Sequence, residues 1–417
     1  IYPAAKRRKW NNFFRLSATL CDEVDKTVLR NAMDVTMRRF PSIAVRLCRG
    51  AFWYYLEELS SAPEITDEKS WPLAHTPFES INECALRVIV YKNRIAVEFY
   101  HALTDGTGGM VFLKSLLAEY IEQKYGVEIP NECGVLDRLT QPQEEELEDS
   151  FSKNAGSVSV SRNASTAFKI HYTPERDDFR HLTTFILDSN AALAAAKSCG
   201  VSLTVYLTSA MLLALQRIQD EQTPDKRRQK PIRVVVPVNL RRLFPSRTLR
   251  NFVHVIMPEI DPRMGDYEFS EILTSVKHQL GLLVTKKNLC AMFTPNVNAE
   301  RSPLLRVMPL FLKNIAMKLV YDTVGERTNC LNLSNLGDIK VPDAMCRYVT
   351  RFDFILGVQA TKPNNCGVLS YNGKLYMNFI RNTVEPVLEF QFYQVLRELG
   401  LHVKVESNGA GNVLIPN

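Results

Sequence analysis

Residues 95–109 read Ile95-Ala-Val-Glu-Phe-Tyr-His101-Ala-Leu-Thr-Asp105-Gly106-Thr-Gly-Gly109. Branched and aromatic side chains dominate the first six positions and predict a strand. The glycines that close the stretch predict a short loop over 101–109. His101 thus stands where a rigid strand gives way to a loop, a place that can present a polar side chain to a ligand. Asp105-Gly106 suits a tight turn that needs an unusual backbone angle. Such a turn would hold the imidazole in one orientation, and the Asp105 carboxylate could add a buried ion pair with an arginine. An imidazole with an ordinary pKa of about 6.5 is a workable base at neutral pH. The residues alone leave two readings of His101 open, a working base and a structural histidine.

Toward the N-terminus, 86–91 and 95–100 predict a hairpin with Lys92-Asn93 at its turn. Residues 13–20 have strand character, Asp22 can cap a helix reaching Arg39, and Pro41 stops it. Residues 45–56 predict one or two strands, with the aromatics Phe52-Trp53-Tyr54-Tyr55 expected in the core. Toward the C-terminus, 110–120 repeats Val111, Leu113, Leu116, Leu117 and Tyr120 at helical spacing. Residues 141–165 turn acidic and then serine-rich, which predicts a mobile connection.

The second half predicts a strand at 182–187, a helix at 190–198 and a buried helix at 203–218. A continuous branched run at 233–238 suits a central strand. A helix at 268–285, strands at 352–359, 367–371 and 375–381, and a helix at 387–399 complete the series. No fixed-period repeat is present. The chain has 417 residues, beyond the ~250–300 at which one hydrophobic core stops growing. The expectation is an α/β protein of two halves, 1–178 and 179–417.

Composition excludes several classes. A hydrophobic fraction of 46% and a charged fraction of 23% are those of a globular protein. The longest strongly apolar helical stretch, 205–215, is shorter than the ~20 residues that span a bilayer, so no integral membrane segment is expected. The start, Ile1 to Trp10, is charged with no apolar core behind it and predicts no signal peptide. It lacks an initiator Met, which suits a trimmed or partial N-terminus. The net charge of +6 does not argue for nucleic acid. The basic clusters at 6–9 and 226–230 read as solvated surface, or as contacts for an anionic ligand. Nine scattered cysteines without a Cys-x-x-Cys pair predict reduced, mostly buried thiols in a cytoplasmic protein. Asn163-Ala-Ser165 and Asn332-Leu-Ser334 match a glycosylation pattern that has no meaning without secretion.

His101-x-x-x-Asp105-Gly106 resembles the signature of a superfamily of acyltransferases. It includes chloramphenicol acetyltransferases, plant BAHD acyltransferases, alcohol acetyltransferases and the condensation domains of peptide synthetases. Val236-Pro-Val-Asn-Leu-Arg241 followed by Arg250-Asn251-Phe252 resembles a second landmark, without its usual glycine. Asn332-Leu-Ser-Asn335-Leu-Gly337 resembles a third, and 371–379 the last strand pair of the C-terminal half. Tyr2-Pro-Ala-Ala-Lys and Gly50-Ala-Phe-Trp-Tyr-Tyr-Leu56 are most similar to bacterial alcohol-acetyltransferase-like proteins.

The resemblance implies two chloramphenicol-acetyltransferase-like α/β sandwich halves, joined by a crossover, with a channel between them. His101 would lie at its middle as general base. Acyl-CoA would be a co-substrate, with no permanently bound cofactor and no metal. A small alcohol or amine would be the acceptor, attacking the thioester directly with no covalent acyl-enzyme. Asp105 would be structural, paired with Arg241, against the alternative of a plain turn residue. Gly106 would allow close backbone approach. Ser334 and Asn335 are candidates for the oxyanion, or else a polar strand end. Peptide-synthetase condensation domains carry two adjacent histidines here, whereas Tyr100 precedes His101.

No Gly-x-Ser-x-Gly elbow and no phosphate-loop pattern occur, and His75, His171, His181, His254, His278 and His402 lack metal-ligand spacing. Three readings follow. The chain is an acyl-CoA-dependent O-acyltransferase, a stand-alone condensation enzyme using an acyl carrier protein, or a non-catalytic ligand-binding member of the fold.

Overall fold

The computed structural model describes residues 12–75, 78–160, 165–176, 178–320, 327–359 and 362–409. The strands are β1 (Phe13–Leu20), β2 (Val45–Arg49), β3 (Tyr54–Glu58), β4 (Ile65–Asp67), β5 (Leu86–Tyr91), β6 (Arg94–Tyr100), β7 (His181–Asp188), β8 (Ile232–Asn239), β9 (Val253–Ile256), β10 (Glu259–Ile260), β11 (Leu331–Asp338), β12 (Val349–Ile355), β13 (Asn364–Tyr371), β14 (Lys374–Arg381) and β15 (Lys404–Ser407). The helices are α1 (Lys26–Arg39), α2 (Gly106–Tyr125), α3 (Glu144–Leu147), α4 (Ser150–Asn154), α5 (Ser189–Ser198), α6 (Leu203–Gln222), α7 (Phe269–Leu283), α8 (Lys286–Arg301), α9 (Pro303–Val307), α10 (Leu310–Val320), α11 (Asp343–Cys346) and α12 (Val387–Glu398).

Two large sheets organise the molecule. One has the order β12-β1-β6-β5-β4, the other β10-β8-β11-β13-β14-β7-β15 with β9 paired to β8. Each sheet has its own apolar core. Leu16, Leu29, Phe99, Phe112 and Leu117 belong to the first, and Leu212, Val234, Leu333, Met377 and Phe392 to the second. One strand joins the halves: β12, late in the chain, pairs antiparallel with β1, Arg15 opposite Ile355. It crosses tightly above β13. A Cβ on Gly367 would lie 2.2 Å from the Phe354 carbonyl oxygen, so only glycine lets the two backbones pass.

The second sheet opens where the site lies. β8 and β11 run parallel and pair only at Val234–Leu331 and Val235–Asn332. Beyond that point β8 pairs with β9 from Val236 to Asn239, and β11 continues against β13. The facing edges of β8 and β11 therefore separate.

Several expectations change. Asp25, not Asp22, caps α1, accepting from Thr27 and Val28 N–H; Asp22 accepts from the Tyr125 hydroxyl at 2.9 Å. The loop expected over 101–109 ends at Asp105, because α2 begins at Gly106 with Asp105 as its cap. The glycines there serve spacing rather than turn geometry. The connection expected to be mobile carries α3 and α4. Glu146 within it is buried and accepts a two-pronged bond from Arg39, at 2.6 and 2.8 Å. A carboxylate in such a fork holds its segment in place.

Phe52, Trp53 and Tyr55 are exposed rather than core, since β2 and β3 form a separate two-stranded ribbon at the surface. Of the nine free cysteines only Cys330 and Cys366 are buried, so most thiols are at or near the surface. The basic cluster at 226–230 is surface, with Lys226 bonded to Asp220 and Asp266. The other basic cluster, the segment from Tyr2 to Lys6, and Asn163 lie outside the described residues. Among the described residues, no single helix is long and apolar enough to cross a membrane.

Candidate active site

Asp105 organises the site. Its Oδ1 accepts from the N–H groups of Thr107 and Gly108, both at 3.0 Å, which satisfies the open first turn of α2. Its Oδ2 accepts from Arg241 Nη1 and from Phe252 N–H, each at 2.8 Å. The carboxylate is 1% exposed. Arg241 is widely engaged: Nε donates to the Thr248 carbonyl at 2.9 Å and Nη2 to the Arg250 carbonyl at 2.6 Å. The pair thus ties the start of α2 to the connection between β8 and β9, and the guanidinium reaches Asp105, Asn239 and two backbone carbonyls.

Two more bonds cross at the same place. Thr104 Oγ1 donates to the Leu249 carbonyl at 2.6 Å, and Asn239 Nδ2 to Thr107 Oγ1 at 3.1 Å. Gly108 makes this approach possible, since a Cβ there would sit 2.2 Å from the Leu249 oxygen. Gly106 answers a different need. It lies on no positive-φ backbone, contrary to the turn expected from Asp-Gly, but a Cβ would meet Leu336 at 2.6 Å.

His101 follows directly on β6. Its N–H donates to the Asn12 carbonyl at 3.0 Å, and its ring stands edge-on to Phe14 with centroids 5.0 Å apart. Burial lowers its pKa below the ordinary 6.5, opposed by backbone contacts with His101 and Thr104 and by the Asp105 charge. Asn251 Nδ2 lies 3.2 Å from His101 Nδ1 and donates to the His101 carbonyl at 3.3 Å. Asn251 was quoted in the sequence only as part of a landmark. Its contact with His101 depends on a fold that brings residues 150 apart together, which local sequence does not carry.

His101 lines a cavity of about 680 Å³ with Thr107, Val238, Asn251, Ser334 and Leu336, within the ~300–1,000 Å³ usual for ligand pockets. The cavity occupies the gap where β8 and β11 separate and extends to Phe354 and Leu356 at the end of β12. Both halves of the chain build its wall. Among the described residues, no cysteine lines it, and burial raises the Cys330 thiol to about 11, far from a thiolate nucleophile.

The remaining candidates differ in how they are engaged. Ser334 and Asn335 both line the cavity. The Asn335 amide is already bonded to protein: Nδ2 donates to Thr204 Oγ1 at 3.2 Å while Oδ1 accepts from Gly337 N–H at 2.8 Å. Arg241 stands behind the cavity wall and supports it through Asp105.

No family model matches the chain, and no curated protein matches it by sequence. Solved structures do. Polyketide synthase associated protein 5 from Mycobacterium tuberculosis superposes with a TM-score of 0.59 at 15% identity, over 96% of this chain and 94% of that one. The first condensation domain of the calcium-dependent antibiotic synthetase, in complex with a substrate analogue, gives 0.58 at 12% identity, over 94% and 92%. A variant of the starter condensation domain of rhizomide synthetase, in complex with C8-CoA, gives 0.55 at 12% identity, over 93% and 88%. The chain has the condensation-domain fold, with two chloramphenicol-acetyltransferase-like lobes.

Proposed function

We propose that this chain transfers an acyl group from a thioester, acyl-CoA, to the hydroxyl or amine of a small acceptor, with His101 as the general base. One observation carries the reading: His101, fixed by residues from both halves, stands on the wall of a large cavity between them. The likeness to a condensation domain in complex with C8-CoA supports a thioester donor. The resemblance of residues 50–56 to alcohol-acetyltransferase-like proteins favours an alcohol as acceptor.

In this reading the acceptor O–H or N–H gives its proton to the imidazole as its lone pair attacks the thioester carbonyl. The tetrahedral intermediate then collapses, expels the CoA thiolate and leaves the acyl group on the acceptor; the imidazolium protonates the leaving sulfur. No covalent acyl-enzyme forms. A positioned base supplies roughly 10²–10⁴-fold in rate. Burial favours it, because a lowered pKa keeps the imidazole neutral at pH 7. The role needs the proton on Nδ1 and the lone pair on Nε2. The ring's backbone contacts with His101 and Thr104 favour a ring N–H. Asp105 and Arg241 are structural, and Ser334, on the cavity wall, is the oxyanion donor.

A second reading keeps the base and takes the acyl group from a carrier-protein thioester; the likeness to peptide-synthetase condensation domains favours it. The test is CoA-thiol release from a panel of acyl-CoAs with pooled alcohols and amines. Acceptor-dependent release supports the acyl-CoA donor. Turnover only with acyl carrier protein moves the assignment to the second reading, and turnover with neither leaves a ligand-binding member of the fold.

A further inference from the structure

Helix α10 (Leu310–Val320) is mounted inside out. Phe311, Ile315 and Leu319, one turn apart on a single face, are 57%, 58% and 62% exposed. Lys313, by contrast, is 2% exposed. It stacks 3.5 Å above the Trp53 ring and donates to the Phe52 carbonyl at 2.8 Å. Leu310 N–H donates to the Ala51 carbonyl at 3.0 Å and Asn314 Nδ2 to the Tyr54 hydroxyl at 3.1 Å. A helix that only had to fold would turn its apolar stripe inward and its lysine outward. Here polar contacts fasten the helix to the β2–β3 ribbon and leave the stripe facing solvent. Leu304 and Val307 on the preceding helix α9, and Phe52 and Trp53 on the ribbon to which α10 is fastened, are exposed as well. Apolar exposure of this kind marks an interaction surface.

Charge identifies the partner. Residues 286–320 hold six lysines and arginines against one glutamate, Glu300, nearly the whole excess charge of the chain. Arg301, Arg306 and Lys318 are exposed and make no ion pair among the described residues. An apolar helical stripe beside Trp and Phe, flanked by such cations, matches the interface of an anionic bilayer, where the rings and aliphatics enter the acyl boundary and the cations meet headgroups. We infer that α9, α10 and the tip of the β2–β3 ribbon form a docking face for an anionic phospholipid surface. The inference is independent of the acyl-transfer reading.

The test is flotation of the full chain with vesicles of phosphatidylcholine alone and of phosphatidylcholine mixed with phosphatidylglycerol, at low and high salt. Wild type is expected to float with the anionic vesicles at low salt, and less at high salt as screening grows. The double variant Phe311→Glu, Ile315→Glu should lose at least about tenfold in partitioning, with unchanged circular dichroism because both side chains are already in solvent. No flotation at low salt, or equal flotation of the variant, overturns the inference. Equal flotation with both vesicle types overturns the anionic assignment. A wild-type dimer that the variant turns into a monomer assigns the face to a second copy of the chain instead.

Discussion

Arg241 donates from Nη1 to Asp105 Oδ2 at 2.8 Å, bridging 136 positions of sequence and the two halves of the protein. Asp105 lines the cavity, but both its oxygens are bonded to protein groups, so the expected effect of the pair is structural. Removing one partner of a buried pair strands the other charge. Asp105→Ala should cost about 3–5 kcal/mol of stability, read by urea denaturation. Arg241→Lys keeps the charge but loses the fork to Thr248 and Arg250, and should recover only part of it. A stability within error of wild type for Asp105→Ala would show that the pair does not fasten the halves.

Gly108→Ala tests the same junction by sterics. The new methyl group would lie 2.2 Å from the Leu249 carbonyl oxygen and 2.3 Å from Thr104 Oγ1, so backbone must move. A loss of about 1–3 kcal/mol is expected from overpacking, measurable as a lowered melting temperature. A fully stable variant would mean that α2 and the β8–β9 connection are farther apart in solution.

The pH dependence follows from the direction of the His101 shift. Burial lowers its pKa below 6.5, and a base works only when neutral. Therefore kcat/KM should be level at neutral pH and fall as pH drops through a value below 6.5. Asn251→Asp places a carboxylate beside Nδ1, which favours the imidazolium, so the acid limb should move to higher pH. An acid limb unmoved in Asn251→Asp would remove Asn251 from the positioning of His101.

Much of this was legible beforehand, for local reasons. Branched runs such as Val234–Val236 have one comfortable conformation, and Lys92-Asn93 marked its hairpin. The misreadings involve contacts between distant segments. Asp105-Gly106 read as a turn, although an Asp before a helix is also a cap signal; the neighbours that require glycine, Leu249 and Leu336, come from the other half. The acidic run containing Glu146 read as part of a mobile connection, because the partner that fixes it, Arg39, lies 107 residues away. The aromatics at 52–55 looked like core because hydrophobicity alone does not say which side of a ribbon is covered. Ser334 and Asn335 are equivalent as sequence and both line the cavity; the Thr204 contact of the Asn335 amide separates them.

That separation is testable. With Ser334 as oxyanion donor, Ser334→Ala should lower kcat by roughly 10²-fold or more with little change in KM. Asn335→Ala should act mainly on stability, because its amide is occupied by Thr204 and Gly337. The reverse pattern would move the oxyanion site to Asn335.

The most direct measurement compares wild type with His101→Ala in acceptor-dependent CoA-thiol release, using the acyl-CoA and acceptor that give the highest wild-type rate. A general base at position 101 predicts a fall of roughly 10²-fold or more in a variant whose circular dichroism and melting temperature match wild type. Equal rates in the two proteins would contradict it and leave His101 as a structural residue on the cavity wall.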